Sequence, residues 1–181
     1  MTWTPIESVV CVMDTPGALA SAYAEAATAV EHLDASASLV NASRKWRAFL
    51  RPTTPSVIVL YGARANLLGR MVPGGRRVPI IAALRSTVID DRGSRFTPVL
   101  DRLTFGRVTT CVSNSRAALD RLLDRGYPVE RLAYIPPGID LARFAGLDRE
   151  SARATYGVGA SELVLLSVAN LKSVKNQSLL I

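Results

Sequence analysis

Short, unbroken apolar runs alternate along this chain with longer stretches whose apolar residues recur every three or four positions. Residues 8–13 (SVVCVM) form the first run and stop at Asp14-Thr15-Pro16-Gly17, a turn signal, so they predict a buried strand. Residues 18–29 are alanine-rich and predict a helix; residues 30–33 predict a short strand. Leu39, Ala42, Trp46, Phe49 and Leu50 then recur at helical spacing, with Arg44, Lys45, Arg47 and Arg51 mostly on other faces. Pro52 and Pro55 end that helix. The alternation repeats with strands at 56–60, 78–84, 108–112 and 132–135. Helices are predicted between them at 63–72, 94–105 and 115–125, the last closed by Gly126. Beyond Pro136-Pro137-Gly138 the pattern predicts a helix at 148–156, a strand at 162–168 and the opening of a helix at 175–181.

Continuous apolar strands separated by helices predict an α/β fold, a Rossmann-like parallel sheet with helices on both faces. The rhythm breaks between residues 136 and 148. Residues 1–137 therefore read as one domain, 138–160 as a linker and helix, and 161–181 as the start of a second Rossmann-like domain. Ser178-Leu179-Leu180-Ile181 is an apolar run inside a starting helix, with nothing for it to pack on. A longer parent protein is the expectation, its second domain adding on the order of 100–200 residues.

Composition narrows the classes. Of the 181 residues, 49% are hydrophobic and 20% charged, which suits a globular chain. No apolar run reaches the ~20 residues of a membrane-spanning helix, and the first residues lack the basic-then-apolar pattern of a secretion signal. Cys11 and Cys111 lack metal or redox spacing and read as small buried hydrophobes, which fits a reducing cytoplasm. No metal site and no cofactor are expected. The net charge of +7 comes from 19 Arg and 3 Lys against 15 acidic residues. It favours anionic partners: lipid surfaces, nucleotide phosphates or nucleic acid. A dedicated nucleic-acid binder interleaves aromatics with a basic stripe, whereas aromatics make up 6% here and the arginines are dispersed. Residues 44–51 (RKWRAFLR) are the local candidate for an anionic lipid surface, although their apolar members suit packing on the sheet.

In an open parallel sheet, ligands bind at the C-terminal ends of the strands. The loops there hold Gly62, Arg64 and Asn66, then Arg85, then Ser113, Asn114 and Ser115, and finally residues 169–176 with Asn170, Lys172 and Lys175. Each has a plain alternative. Any of Ser113, Asn114 and Ser115 can cap the helix that follows, Gly62 can simply make a turn, and Arg64 and Arg85 can be solvated. His32, the only histidine, reads as a partner in a local hydrogen bond. Lys175 in a first helical turn runs against the helix dipole, which favours a ligand role for it. No dinucleotide glycine motif, P-loop or zinc-protease motif occurs, and no catalytic residue can be named.

Four pieces in register carry more. They are Cys-Val-Ser-Asn-Ser-Arg at 111–116, Gly-Tyr-Pro-Val-Glu-Arg at 126–131, Tyr-Ile-Pro-Pro-Gly-Ile-Asp at 134–140 with Phe144, and Leu-Leu-Ser-Val-Ala-Asn-Leu-Lys-Ser-Val-Lys-Asn at 165–176. In this order and spacing they resemble the retaining glycosyltransferases of family 4, which have the GT-B fold. Upstream, residues 55–70 and 78–86 are similar to further strands and helices of that family. The resemblance implies that residues 1–137 are an acceptor-side domain lacking its first strand and glycine loop, since residues 8–13 match the family's second strand. It implies that Lys175 and Asn170 contact the donor phosphates, and that Arg85, Asn66, Ser113 and Asn114 lie on the acceptor or sugar side. Asn170 stands where the family has Arg, with Lys172 nearby. Leu84-Arg85 stands where many members have His, and Pro137 replaces the Asn of Pro-Asn-Gly. The family's spaced glutamates would lie beyond Ile181.

The implied function is transfer of a sugar from a UDP- or GDP-linked donor to a lipid-linked or polysaccharide acceptor. The setting would be bacterial cell-envelope polysaccharide synthesis, in the cytoplasm at the inner face of the plasma membrane. The chain alone is expected to be inactive. The alternatives are another GT-B enzyme, such as a nucleotide-sugar epimerase, or a basic Rossmann-like module that binds membrane or nucleic acid.

Overall fold

The apolar runs pair side by side and all point one way. The computed structural model describes residues 6–15, 17–18, 20–35, 38–72, 78–84, 97–171 and 173–180. In chain order the elements are β1 (Val9–Val12), α1 (Ala20–Ala26), β2 (Ala29–His32), α2 (Leu39–Leu50), β3 (Ile58–Tyr61), α3 (Ala63–Met71), β4 (Ile80–Leu84), α4 (Thr97–Phe105), β5 (Thr110–Ser113), α5 (Arg116–Asp124), β6 (Leu132–Tyr134) and α6 (Arg149–Thr155). β1 pairs with β2, and β3-β4-β5-β6 form a second sheet; every pairing is parallel. The register sets Leu60 beside Ala82 and Ala82 beside Cys111.

Parallel neighbours need crossovers, and these are right-handed. Because β3 to β6 step in one direction, α3, α4 and α5 fall on one face of their sheet. That face is the core. Ala82, Phe105, Val108, Cys111, Leu119, Leu122 and Tyr127 form one buried cluster, in which the Phe105 and Tyr127 rings meet edge to face at 4.4 Å. A second cluster joins Leu33, Ala35, Ala42, Trp46, Leu50, Leu68 and Val72, and so fastens α2 to α3. Trp46 Nε1 donates to Val72 O at 3.2 Å across that contact. Ser38 caps α2 through its side chain, which accepts from Asn41 N–H. At Gly69 a Cβ would stand 2.5 Å from Leu60 Cδ2, so glycine is what lets α3 lie this close to β3.

Two compact units divide the chain, Met1–Pro137 and Gly138–Ile181. The second holds a 3-10 turn at Leu141–Phe144, α6, and 3-10 turns at Ser173–Lys175 and Gln177–Leu179. Asp148 caps α6, its carboxylate accepting from Ser151 N–H at 2.7 Å. Arg153 Nε donates to Gly159 O at 3.1 Å.

Three expectations change here. Residues 162–168 form no strand, and Leu163 and Val168 are both 88% exposed. A strand needs a neighbour for its ladder, and the described residues of this unit contain no second strand. Of the helix expected at 175–181, residues 175–180 are described and form no α-helix; Asn176 takes a left-handed φ of 49° between the two short turns. β1, expected to be buried, has no fully buried residue.

Candidate functional site

The C-terminal ends of β1, β3, β5 and β6 put one set of loops on a common rim of the first unit. After β3, Gly62 turns the chain at φ +81° into α3, with no side-chain cap. Asn66, one turn into α3, is 1% exposed and aims inward. Its Nδ2 donates to Leu60 O at 3.0 Å and to Gly62 O at 2.9 Å, so it braces the turn from within. Its Oδ1 is buried without a partner, beside a cavity of about 10 Å³ bounded by Asn66, Arg70, Asp101 and Cys111 among others. Roughly one water fits a polar space of that size.

After β5, Ser113 is 2% exposed and its Oγ accepts from Ser115 N–H at 3.2 Å. Ser115 caps α5, its Oγ accepting from Ala118 N–H at 3.3 Å. Asn114 is half-buried between them, and its side chain forms no hydrogen bond with the described residues. Arg116 lies over the Tyr134 ring at 4.3 Å from its centre, joining the ends of β5 and β6. Across the rim, Arg64 Nη1 and Asp14 Oδ2 form an ion pair at 3.1 Å. His32 Nδ1 lies 3.3 Å from Asp14 O, a local contact.

Beneath the rim lies a polar network that no local sequence pattern announces. Arg70 Nη2 meets Asp101 Oδ1 at 2.5 Å, with only 5% and 13% of the two side chains exposed. Arg70 Nε donates to Asn66 O at 2.9 Å, and Tyr127 Oη donates to the other Asp101 oxygen. Burial, and then the Asp101 bond, push the Tyr127 phenol up, so it stays protonated. Burial likewise pushes the Cys11 and Cys111 thiols up to about 11. Neither thiol is tuned as a nucleophile. Among the described residues no cluster of three or more His, Cys, Asp or Glu could hold a metal.

A family model described as a glycosyl transferase 4-like domain matches residues 7–138. The chain belongs to that family. Over 71 residues it is 37% identical to the D-inositol 3-phosphate glycosyltransferase of Geodermatophilus obscurus, a stretch covering 39% of this chain and 16% of that protein. Among solved structures, HepE of Anabaena in complex with UDP-glucose matches with a TM-score of 0.64 at 18% identity, over 82% of this chain and 42% of HepE. HepE in complex with UDP and glucose matches with a TM-score of 0.64 at 16% identity over the same shares. At such identities the likeness shows the fold. The chain spans less than half the length of these relatives.

Within this glycosyl transferase 4-like chain the sequence candidates separate. Asn66 and Ser113 face the core and hold the loops in shape. Asn114 stays on the rim, its amide unbonded to any of the described residues. Arg85 and Lys172 lie outside the described residues. Asn170 and Lys175 belong to the second unit and share one turn, which Gln177 Nε2 closes by donating to Asn170 O at 2.8 Å. The side chains of Asn170 and Lys175 remain exposed. Arg70, Asp101 and Tyr127 form a group that stands outside the sequence candidates. They lie 31 and 26 positions apart, and the single faint signal was Gly69-Arg70, a glycine for close packing beside a cation that packing then buries.

Proposed function

We propose that the parent protein is a nucleotide-sugar-dependent glycosyltransferase, with residues 1–137 as its acceptor side and residues 161–181 opening its donor side. The family match over residues 7–138 carries this reading. HepE, of similar fold, holds UDP-glucose, and a UDP- or GDP-linked sugar is the donor proposed here. In such a transfer the bond from the anomeric carbon to the diphosphate breaks, and negative charge gathers on the leaving diphosphate. A cation and hydrogen-bond donors beside that charge lower the barrier. Lys175 is proposed as the cation and Asn170 as the neutral donor. Asn114 is proposed to meet the acceptor or the sugar, and Asn66 and Ser113 to position the loops that carry it. Arg85 belongs to the same proposed acceptor side. The acceptor is proposed to be lipid-linked or polysaccharide, in envelope synthesis at the inner face of the plasma membrane. The 181-residue chain alone is proposed to be inactive.

Titration and turnover assays with UDP- and GDP-glucose test this. The expected result is turnover by the longer parent and none by the 181-residue chain. Lys175→Ala in the parent should cut kcat by about 10²–10³ with the fold intact. A parent that binds no nucleoside diphosphate would overturn the donor assignment, and turnover by the short chain would overturn its inactivity.

One observation favours membrane contact as well. On α2, Val40, Arg44, Arg47 and Arg51 recur at spacings of four, three and four, which aligns them on one stripe, and all four are exposed. No described helix is long and apolar enough to cross a membrane. A basic stripe of this kind suits the surface of an anionic bilayer. Co-sedimentation with phosphatidylserine vesicles should be lost in high salt and in Arg44→Glu/Arg47→Glu; binding to neutral vesicles alone would refute it.

A further inference from the structure

The side chain of Asn66 is satisfied on one side and not on the other. Its Nδ2 donates to Leu60 O at 3.0 Å and to Gly62 O at 2.9 Å, which uses both amide hydrogens. Turning the amide over would set Oδ1 against those two carbonyls, so the network fixes its orientation. The acceptor left over, Oδ1, is buried and has no partner among the described residues. Buried acceptors seldom go without a donor.

The unsatisfied side faces the cavity. Asn66 lines that space, whereas Leu60 and Gly62 do not. Arg70, Asp101 and Cys111 supply its other polar walls, and Ala82 and Leu122 are among the apolar ones. Arg70 has hydrogens to spare. Nε donates to Asn66 O, Nη2 to one Asp101 oxygen, and Nη1 reaches Asp101 O at 3.5 Å. A guanidinium carries further N–H groups beyond these. Each Asp101 oxygen accepts once, from Arg70 and from Tyr127, and keeps a lone pair.

Size and charge choose the occupant. About 10 Å³ holds one molecule the size of water. An anion would face Asn66 Oδ1 and the Asp101 carboxylate, and a cation would face the Arg70 guanidinium. Either would also give up its hydration beside a pair that is already neutralised. A neutral molecule that both donates and accepts meets every wall. Three polar partners are what a buried water usually has.

We propose that this cavity is the site of one structural water, which donates to Asn66 Oδ1 and to the Asp101 carboxylate and accepts from the Arg70 guanidinium. It joins the β3–α3 turn at the rim, which Asn66 braces, to the ion pair beneath it. A bridge of this kind is nearly as good as a direct hydrogen bond. The site is independent of sugar transfer, because its readout involves no donor or acceptor sugar.

The test is NOE and ROE transfer between water and the methyl groups of the 181-residue chain, labelled at its methyls. Ala82 and Leu122 line the cavity and are only 2% and 3% exposed, which shields their methyls from bulk solvent. Both should show cross-peaks to the water line, of the sign that marks a water residing in the protein. The cross-peaks should persist in Tyr127→Phe and in Thr104→Val, which remove neighbouring hydroxyl protons able to relay exchange. They should vanish in Ala82→Val, whose added methyls take the place of the water, while slow exchange of the Cys111 amide reports that the sheet is folded. No cross-peaks in the unsubstituted chain would overturn the inference, whether or not Ala82→Val folds. Cross-peaks lost with either hydroxyl, or kept in folded Ala82→Val, would overturn it too. Absent cross-peaks together with a shifted Asn66 side-chain amide in Cys111→Ala would overturn it in favour of the thiol as the donor to Oδ1.

Discussion

Arg70 and Asp101 form an ion pair inside the helical layer, 2.5 Å from Nη2 to Oδ1 and nearly closed to solvent. The pair ties α3 to α4, and Tyr127 fastens the end of α5 to the same carboxylate. Removing one member leaves the other charged and buried. Asp101→Ala should cost about 3–5 kcal/mol in urea unfolding, and Arg70→Met/Asp101→Leu much less than Asp101→Ala alone. Equal losses in the two variants would count against a buried, coupled pair.

Gly69→Ala sets two effects against each other. Alanine favours a helix interior by about 1 kcal/mol, yet its Cβ would press to 2.5 Å from Leu60 Cδ2. Leu60 is itself buried, so overpacking of about 1–3 kcal/mol wins. A net loss is expected, largely restored by Leu60→Val as the second substitution. A stabilised Gly69→Ala would show that α3 can move off the strand.

Asn66→Asp should be worse than Asn66→Ala. The amide donates to two carbonyls; a carboxylate would set acceptor against acceptor in a buried site, at a cost of about 1–3 kcal/mol or more. The aspartate variant should regain stability at acid pH, where the protonated group can donate again. Thermal unfolding of both variants at pH 4 and pH 7 gives the ranking.

The two thiols set an alkaline limit. In the fold, burial, reinforced at Cys11 by Glu31, pushes them up to about 11, against an ordinary value of 9.0. At Cys111, Arg70 offsets part of that push and Asp101 adds to it. The unfolded chain ionises first as pH rises, so stability from this source is complete below about 9 and is lost between about 9 and 11. The urea midpoint should fall over that window, and less so in Cys11→Ala/Cys111→Ala. Iodoacetamide at pH 8 should label the unfolded chain much faster than the native one.

The hydrophobic pattern by itself determined the order of strands and helices through residue 135, the parallel sheet, and α2 with Ala42, Trp46 and Leu50 inward. Those are local periodicities, and burial follows them directly. The motif at 111–116 likewise marked the turn where Ser115 caps α5. Tertiary structure decided what local pattern cannot carry. It turned Asn66 and Ser113 inward to hold loops and left Asn114 at the rim, because side-chain direction depends on which face the next element covers. It drew Arg70, Asp101 and Tyr127 together from distant positions. It also denied residues 162–168 a strand, and left β1 and β3 half-exposed despite sequences suited to the middle of a sheet. A strand is made by its neighbours, and an apolar run states only that neighbours are wanted.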